Sequence, residues 1–178
     1  LELELFSPPS QILTFTDSSK WPERGCRPGA PQPRVVMRFG GLQKNSFSDY
    51  PGGISCVVFL AGCNFHCPYC HNPDLARGLA GGAVAAETVR QYLETRRGLI
   101  DGVVITGGEP TLQEGLADFC TGIQSMGYPI KLDTNGSRPA CLEGLITKRV
   151  VNFIAMDIKT DPAAYCALSP RKDISDRV

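Results

Sequence analysis

Neither sign of charge predominates in this chain of 178 residues: Lys and Arg number 18, and so do Asp and Glu. That balance leaves no basic footprint for a nucleic-acid backbone or an anionic membrane. No apolar run approaches the roughly 18 residues of a membrane span; the longest, Ile54–Ala61, has the length of a strand. No basic stretch leads into an apolar one as in a targeting peptide, and no short repeat recurs. Cysteine, by contrast, is plentiful at eight residues. Long apolar and helical patterns without a secretion signal favour a reduced, metal-handling, cytoplasmic protein over a disulfide scaffold. With 42% hydrophobic and 20% charged residues the chain can fill a core, and its length suits one domain.

Residue 1 is Leu, and six of the 14 prolines (Pro8, Pro9, Pro22, Pro28, Pro31 and Pro33) fall before residue 35. Beyond LELELF this stretch sustains no period, so residues 1–34 are expected to be a disordered leader or non-native extension, and 35–178 the domain. After Val35 the pattern becomes regular. Ile54–Ala61, Asp101–Thr106, Tyr128–Thr134 and Val150–Ile158 read as strands, being apolar and rich in β-branched residues. Val84–Arg97, Leu112–Met126 and Pro139–Lys148 read as the helices between them. Alternation of this kind implies parallel βαβ units. The chain ends soon after the fourth strand, so a barrel of this type is expected to be C-terminally incomplete here.

Polar residues collect where those strands end. The first strand runs into Cys63-Asn-Phe-His-Cys67-Pro-Tyr-Cys70-His-Asn72, the second into Gly107-Gly108-Glu109-Pro110, the third into Asp133-Thr-Asn-Gly136, the fourth into Asp157-Ile-Lys159. In parallel α/β folds this is the edge on which sites are built, and four clusters in register point to one site. The cysteines leave four readings open. Cys67-Pro-Tyr-Cys70 has the spacing of a dithiol redox motif, and with His71 that of a haem attachment. His66 or His71 could complete a structural zinc site. Three thiolates could instead hold an iron–sulfur cluster with one iron open to a ligand. Only the last gives work to the other clusters: glycines for a close approach, Glu109 for an ammonium group, and Asp133, Asp157 and Lys159 for further polar groups.

CNFHCPYC, with three and then two intervening residues, resembles the signature of the radical S-adenosylmethionine (SAM) enzymes, and GGEP resembles their motif for the SAM amino group. From Gly40 to Leu75 the chain is similar to the activating enzymes of glycyl-radical proteins, most of all to the activator of the anaerobic ribonucleoside-triphosphate reductase. YCHN, DTNG and the acid-x-Lys strand end are shared with the pyruvate formate-lyase activator. The resemblance covers about residues 37–168. It implies a partial (βα)6 barrel, here ending after about four βα units. It also implies that Cys63, Cys67 and Cys70 ligate a [4Fe–4S] cluster whose fourth iron is chelated by SAM. Tyr69 would lie by the adenine, with His71 and Asn72 finishing the loop. Gly107, Gly108 and Glu109 would take the methionine end, and Asp133, Asp157 and Lys159 further polar groups. Reductive cleavage would yield a 5′-deoxyadenosyl radical that abstracts a hydrogen from a glycine of the partner. The implied partners are that glycyl-radical enzyme and a reduced flavodoxin or ferredoxin as electron donor, with no nucleic acid and no membrane. A pyruvate formate-lyase activator, a radical SAM enzyme acting on a small molecule or RNA, and a truncated inactive metal-binding domain are the alternatives.

Blander roles are also written in the residues. Tyr69 could simply pack, His66 could face solvent, and Asp133 and Asn135 are common turn formers. Cys26, Cys56, Cys120, Cys141 and Cys166 are scattered and read as small buried hydrophobes.

Overall fold

The computed structural model describes residues 37–79 and 84–168; the expected leader and Cys26 lie outside them. Five strands form one sheet in the order β1-β2-β3-β4-β5. These are β1 (Phe39–Tyr50), β2 (Gly53–Leu60), β3 (Gly102–Gly107), β4 (Ile130–Thr134) and β5 (Phe153–Met156). β2 to β5 pair in parallel and in sequence order. An order without reversal has no switch point of the doubly wound kind and matches the wall of a (βα) barrel. Among the described residues no helix is long and apolar enough to cross a membrane.

β1 is the element that the sequence pattern did not announce. It pairs antiparallel with β2, with register shifts that include one between Phe39 and Gly41. Its sequence, FGGLQKNSFSDY, has two glycines and no β-branched residue, so intrinsic strand preference is weak. The neighbouring edge of β2 and a tight turn recruit it. Tyr50 faces Gly53 across Pro51-Gly52, and Gly52 at φ 73° supplies the positive φ that a type II turn requires after proline.

Side-chain alternation divides the sheet into two faces. Cys56, Val58, Leu60, Val103, Ile105, Ile130 and Leu132 point to one face and form the main core. Val89 and Leu93 of α2 (Ala86–Thr95), Leu116, Cys120 and Ile123 of α3 (Leu116–Ser125) and Leu145 of α4 (Pro139–Thr147) cover them. The helices share one face because each parallel crossover has the same hand. Burial of each such Leu or Ile contributes about 1.5–3 kcal/mol. The opposite face carries a smaller group, Tyr50, Val57 and Val104 with Phe59 against it. Tyr50 meets Phe153 edge-on at 5.5 Å, drawing the two outer strands together across that face.

The single helix expected over Leu112–Met126 is divided. Pro110–Leu112 forms a 3-10 turn, and α3 begins only after Gly115, whose φ of 89° no helix admits. The outer strand is also shorter than its apolar run, because Val150–Asn152 approach the sheet before pairing begins at Phe153.

Candidate functional site

All four strand-end clusters meet at the C-terminal edge. Cys63, Cys67 and Cys70 lie on the loop between β2 and α1 (Pro73–Ala76). The loop is drawn down at both ends: Gly62 N–H donates to Leu75 O at 2.9 Å and Cys63 N–H to Ala76 O at 2.8 Å. The exit of β3 packs against that of β2, with Gly108 N–H on Leu60 O and Glu109 N–H on Gly62 O, both at 2.8 Å. This contact explains the paired glycines. A Cβ on Gly108 would stand 2.0 Å from Gly62 O, and one on Gly107 2.1 Å from Leu60 O. What approaches them is backbone, the end of β2 at Gly107 and the start of the cysteine loop at Gly108, where the sequence suggested a cofactor.

Glu109 is fully buried. Its Oε1 accepts from Thr111 N–H (3.1 Å), Thr111 Oγ1 (2.5 Å) and Thr134 Oγ1 (2.8 Å), and its Oε2 from Asn135 N–H (2.7 Å). The carboxylate expected to meet a ligand's ammonium group is therefore already hydrogen-bonded four times, and it locks the exit of β3 to that of β4. Four donors offset the cost of burying the charge.

Beside it, Asn135 Nδ2 donates to Asn64 Oδ1 (3.0 Å), Asn64 Nδ2 to Ser137 Oγ (2.8 Å), and Ser137 Oγ to Asn135 Oδ1 (2.6 Å). Asn135 Nδ2 also faces Cys63 Sγ at 3.9 Å. Asn64, Thr111, Thr134 and Ser137 were not singled out from the sequence, and Asn135 only as a turn former. Small polar residues flanking the strand-end motifs were the available signal.

On the other side of the cysteine loop stands α5 (Tyr165–Leu168). Phe65, Tyr165 and Leu168 form their own apolar cluster, with Cys63 and Cys67 packed against it. His66 N–H donates to Leu168 O at 2.7 Å, while the residue itself is exposed. Tyr69 is exposed and donates its hydroxyl to Lys159 O, and Lys159 N–H donates to Tyr165 Oη at 2.9 Å. Thus the cysteine loop, α5 and the segment after β5 are sewn together. His71 and Asn72 are exposed and line a groove of about 390 Å³ with Gly40, Gly41 and Phe59.

The acidic residues pair locally: Asp133 with Lys131 at 2.7 Å and Asp157 with Lys159 at 2.7 Å. Burial pulls the Lys159 ammonium down, but the hydrogen bond and charge of Asp157 outweigh it and leave Lys159 raised. Lys131 is a further polar residue that the sequence reading passed over; the alternation in IKLDT sets it on the same face as Asp133.

Burial raises the Cys63 thiol, the Phe65 N–H opposes this, and the charges of Glu109, Cys67 and Cys70 raise it further. These groups are thus close enough to repel when ionised. Among the described residues no group of three such side chains converges as ligands of a single ion. A [4Fe–4S] cluster asks for something else, one thiolate on each of three separate irons. Three half-buried sulfurs on one short loop, with an apolar cluster against Cys63 and Cys67 and two N–H donors to Cys63, fit that group. Of the scattered cysteines, Cys56 and Cys120 are buried as expected and Cys141 is partly buried, but Cys166 is exposed: it sits on the outer side of the single turn of α5.

Residues 57–178 match the Radical SAM superfamily. A Methanocaldococcus jannaschii protein named as a glycyl-radical enzyme activating enzyme is 37% identical over 122 residues, 67% of this chain and 49% of that protein. The 7-carboxy-7-deazaguanine synthase of Hyperthermus butylicus is 38% identical over 108 residues, 60% of this chain and 44% of that enzyme. The pyruvate formate-lyase-activating enzyme of Clostridium pasteurianum is 32% identical over 130 residues, 70% of this chain and 53% of that enzyme. The chain thus spans about half the length of these relatives. Three thiols gathered at the edge of a sequentially ordered parallel sheet, in a segment that matches over most of the chain, lead to one conclusion: this chain belongs to the radical SAM superfamily, whose enzymes use a [4Fe–4S] cluster and SAM.

Proposed function

We propose that the chain carries the SAM-cleaving site of a glycyl-radical enzyme activating enzyme, with the anaerobic ribonucleoside-triphosphate reductase as its partner. One observation carries the reading: a three-thiol loop on a parallel strand edge, in a chain 37% identical to a protein named for that activity. When bound, the reduced cluster supplies the electron that cleaves SAM. The chain's own residues do the holding. Cys63, Cys67 and Cys70 would each take one iron and leave the fourth for SAM. Phe65, Tyr165 and Leu168 would keep water from the Cys63 and Cys67 sulfurs. Tyr69, His71 and Asn72 would border the adenine, and Gly107, Gly108 and Glu109 the methionine end. Asp133, Asp157 and Lys159 would orient SAM's remaining polar groups. A reduced flavodoxin or ferredoxin would be the donor, in the cytoplasm.

A second reading, a radical SAM enzyme acting on a small molecule, draws support from the 38% identity to a 7-carboxy-7-deazaguanine synthase. Anaerobic reconstitution, dithionite reduction and addition of SAM test both. About four irons per chain and release of 5′-deoxyadenosine are expected. A glycyl-radical doublet in the electron paramagnetic resonance (EPR) spectrum of an added reductase would select the activase. Turnover of a small molecule without that doublet would select the second reading. Cys63→Ala, Cys67→Ala and Cys70→Ala should each abolish SAM cleavage, and Cys120→Ala should leave it nearly intact. Equal losses in all four variants would overturn the ligand assignment.

A further inference from the structure

The three side chains beside Cys63 form a closed circuit, and its direction is fixed. The backbone N–H of Ser137, which can only donate, meets Asn135 Oδ1 at 3.0 Å. The other end of the Asn135 side chain is therefore the NH2 group. One of its N–H bonds goes to Asn64 Oδ1 at 3.0 Å. Asn64 Nδ2 then donates to Ser137 Oγ, whose own proton returns to Asn135 Oδ1. With every donor and acceptor in the ring assigned, the second N–H of Asn135 is left facing Cys63 Sγ at 3.9 Å. Asn135 and Ser137 are 4% and 2% exposed, so water has little access to their side chains. The backbone N–H of Asn135 is in turn anchored on Glu109 Oε2 at 2.7 Å.

We infer that Asn135 is a positioning residue for the cluster: it clamps the cysteine loop to the exit of β4 through Asn64 and gives a hydrogen bond to the Cys63 sulfur. This rests on the cluster reading above and adds a residue to it. A donor on a cluster's thiolate stabilises the more negative, reduced state, so it eases reduction. The DTNG turn thereby has two tasks. Gly136 turns the chain, and Asn135, through the side chain that marks it as a turn former, reaches past the exit of β3 to the loop that follows β2.

Two measurements on the full chain test this. In the metal-free protein, Asn135→Ala should raise the rate of Cys63 alkylation roughly tenfold, the opened loop outweighing the loss of thiolate that follows removal of the N–H donor. Cys67 and Cys70 should change little, and Cys120 should remain protected as a sign that the fold persists. In the reconstituted protein without SAM, EPR-monitored redox titration of the same variant should show an about tenfold smaller reduced-to-oxidised ratio at fixed poise. For one electron that is ~59 mV to lower potential. Should Asn135→Ala expose Cys120, Asn135→Ser replaces it in the titration: it is neutral, keeps an oxygen for Ser137, is too short to reach the Cys63 sulfur, and should also lower the potential. Asn64→Ala then tests the clamp by Cys63 alkylation. An unchanged potential together with an unchanged Cys63 rate, in a folded variant, overturns the inference. Failure of the native chain to take up iron would instead sink the cluster reading, while the alkylation result would still decide the clamp.

Discussion

Gly108 and Gly62 separate two reasons for a glycine. At Gly108 the obstacle is contact: a methyl group would stand 2.0 Å from a backbone oxygen that has no room to yield. At Gly62 it is conformation alone, since φ is 97° and nothing lies within 4 Å of the added Cβ. Gly62→Ala should therefore cost about 1–2 kcal/mol, and Gly108→Ala about 3 kcal/mol or more, as overpacking against rigid atoms does. Urea unfolding of the two variants checks the order. Glu109→Gln belongs to the same scale. An amide turned toward donors that now meet a carboxylate leaves at least one of them unpaired, at a cost on the order of 3 kcal/mol. Because Glu109 anchors Asn135, iron content should fall as well. Weaker SAM binding with full iron retention and native stability would instead leave Glu109 with the proposed ligand-binding role alone.

α5 is the element whose contribution is local. Tyr165 and Leu168 pack on Phe65 in a cluster separate from the main core, and they reach the cysteine loop directly through His66 N–H and Leu168 O. Elements held by few apolar contacts open without global unfolding. Leu168→Ala should thus speed loss of iron to a chelator several-fold while the main melting transition moves by no more than a few degrees. A fall of the whole transition in proportion to the roughly 2–5 kcal/mol of a core Leu→Ala change would show that α5 folds as part of the main core.

Across the whole molecule, the two thiols of the main core give stability an alkaline limit. Burial pushes Cys56 and Cys120 up to about 12 from an ordinary 9.0. Above pH 9 the unfolded chain releases protons that the folded chain retains, so stability falls as pH rises from about 9 toward 12. Well above pH 9 the slope approaches about 1.4 kcal/mol per pH unit for each thiol. Urea midpoints at pH 8 and pH 10 should show the loss, and Cys56→Ala combined with Cys120→Ala should flatten it. A slope unchanged in the double variant would place the alkaline transition elsewhere.

The parallel strands, the intervening helices and the edge on which the candidate site stands were legible because continuous apolar, β-branched runs and helical periods record which side chains leave water. The cysteine spacing and the strand-end clusters named the superfamily for a similar reason, since ligand types and their separations along the chain are local. β1 was not legible. GGLQKNSFSD has no strand preference of its own and pairs only because the edge of β2 is there to receive it. Nor could the sequence show what Gly108 approaches, that Thr134 and Asn135 bond Glu109, or that the Asn135 side chain reaches the loop of another strand. Those facts join residues 46, 25 and 71 positions apart. Pairings of that kind have no period and no fixed spacing along the chain, so only the packing of one strand exit against another decides them.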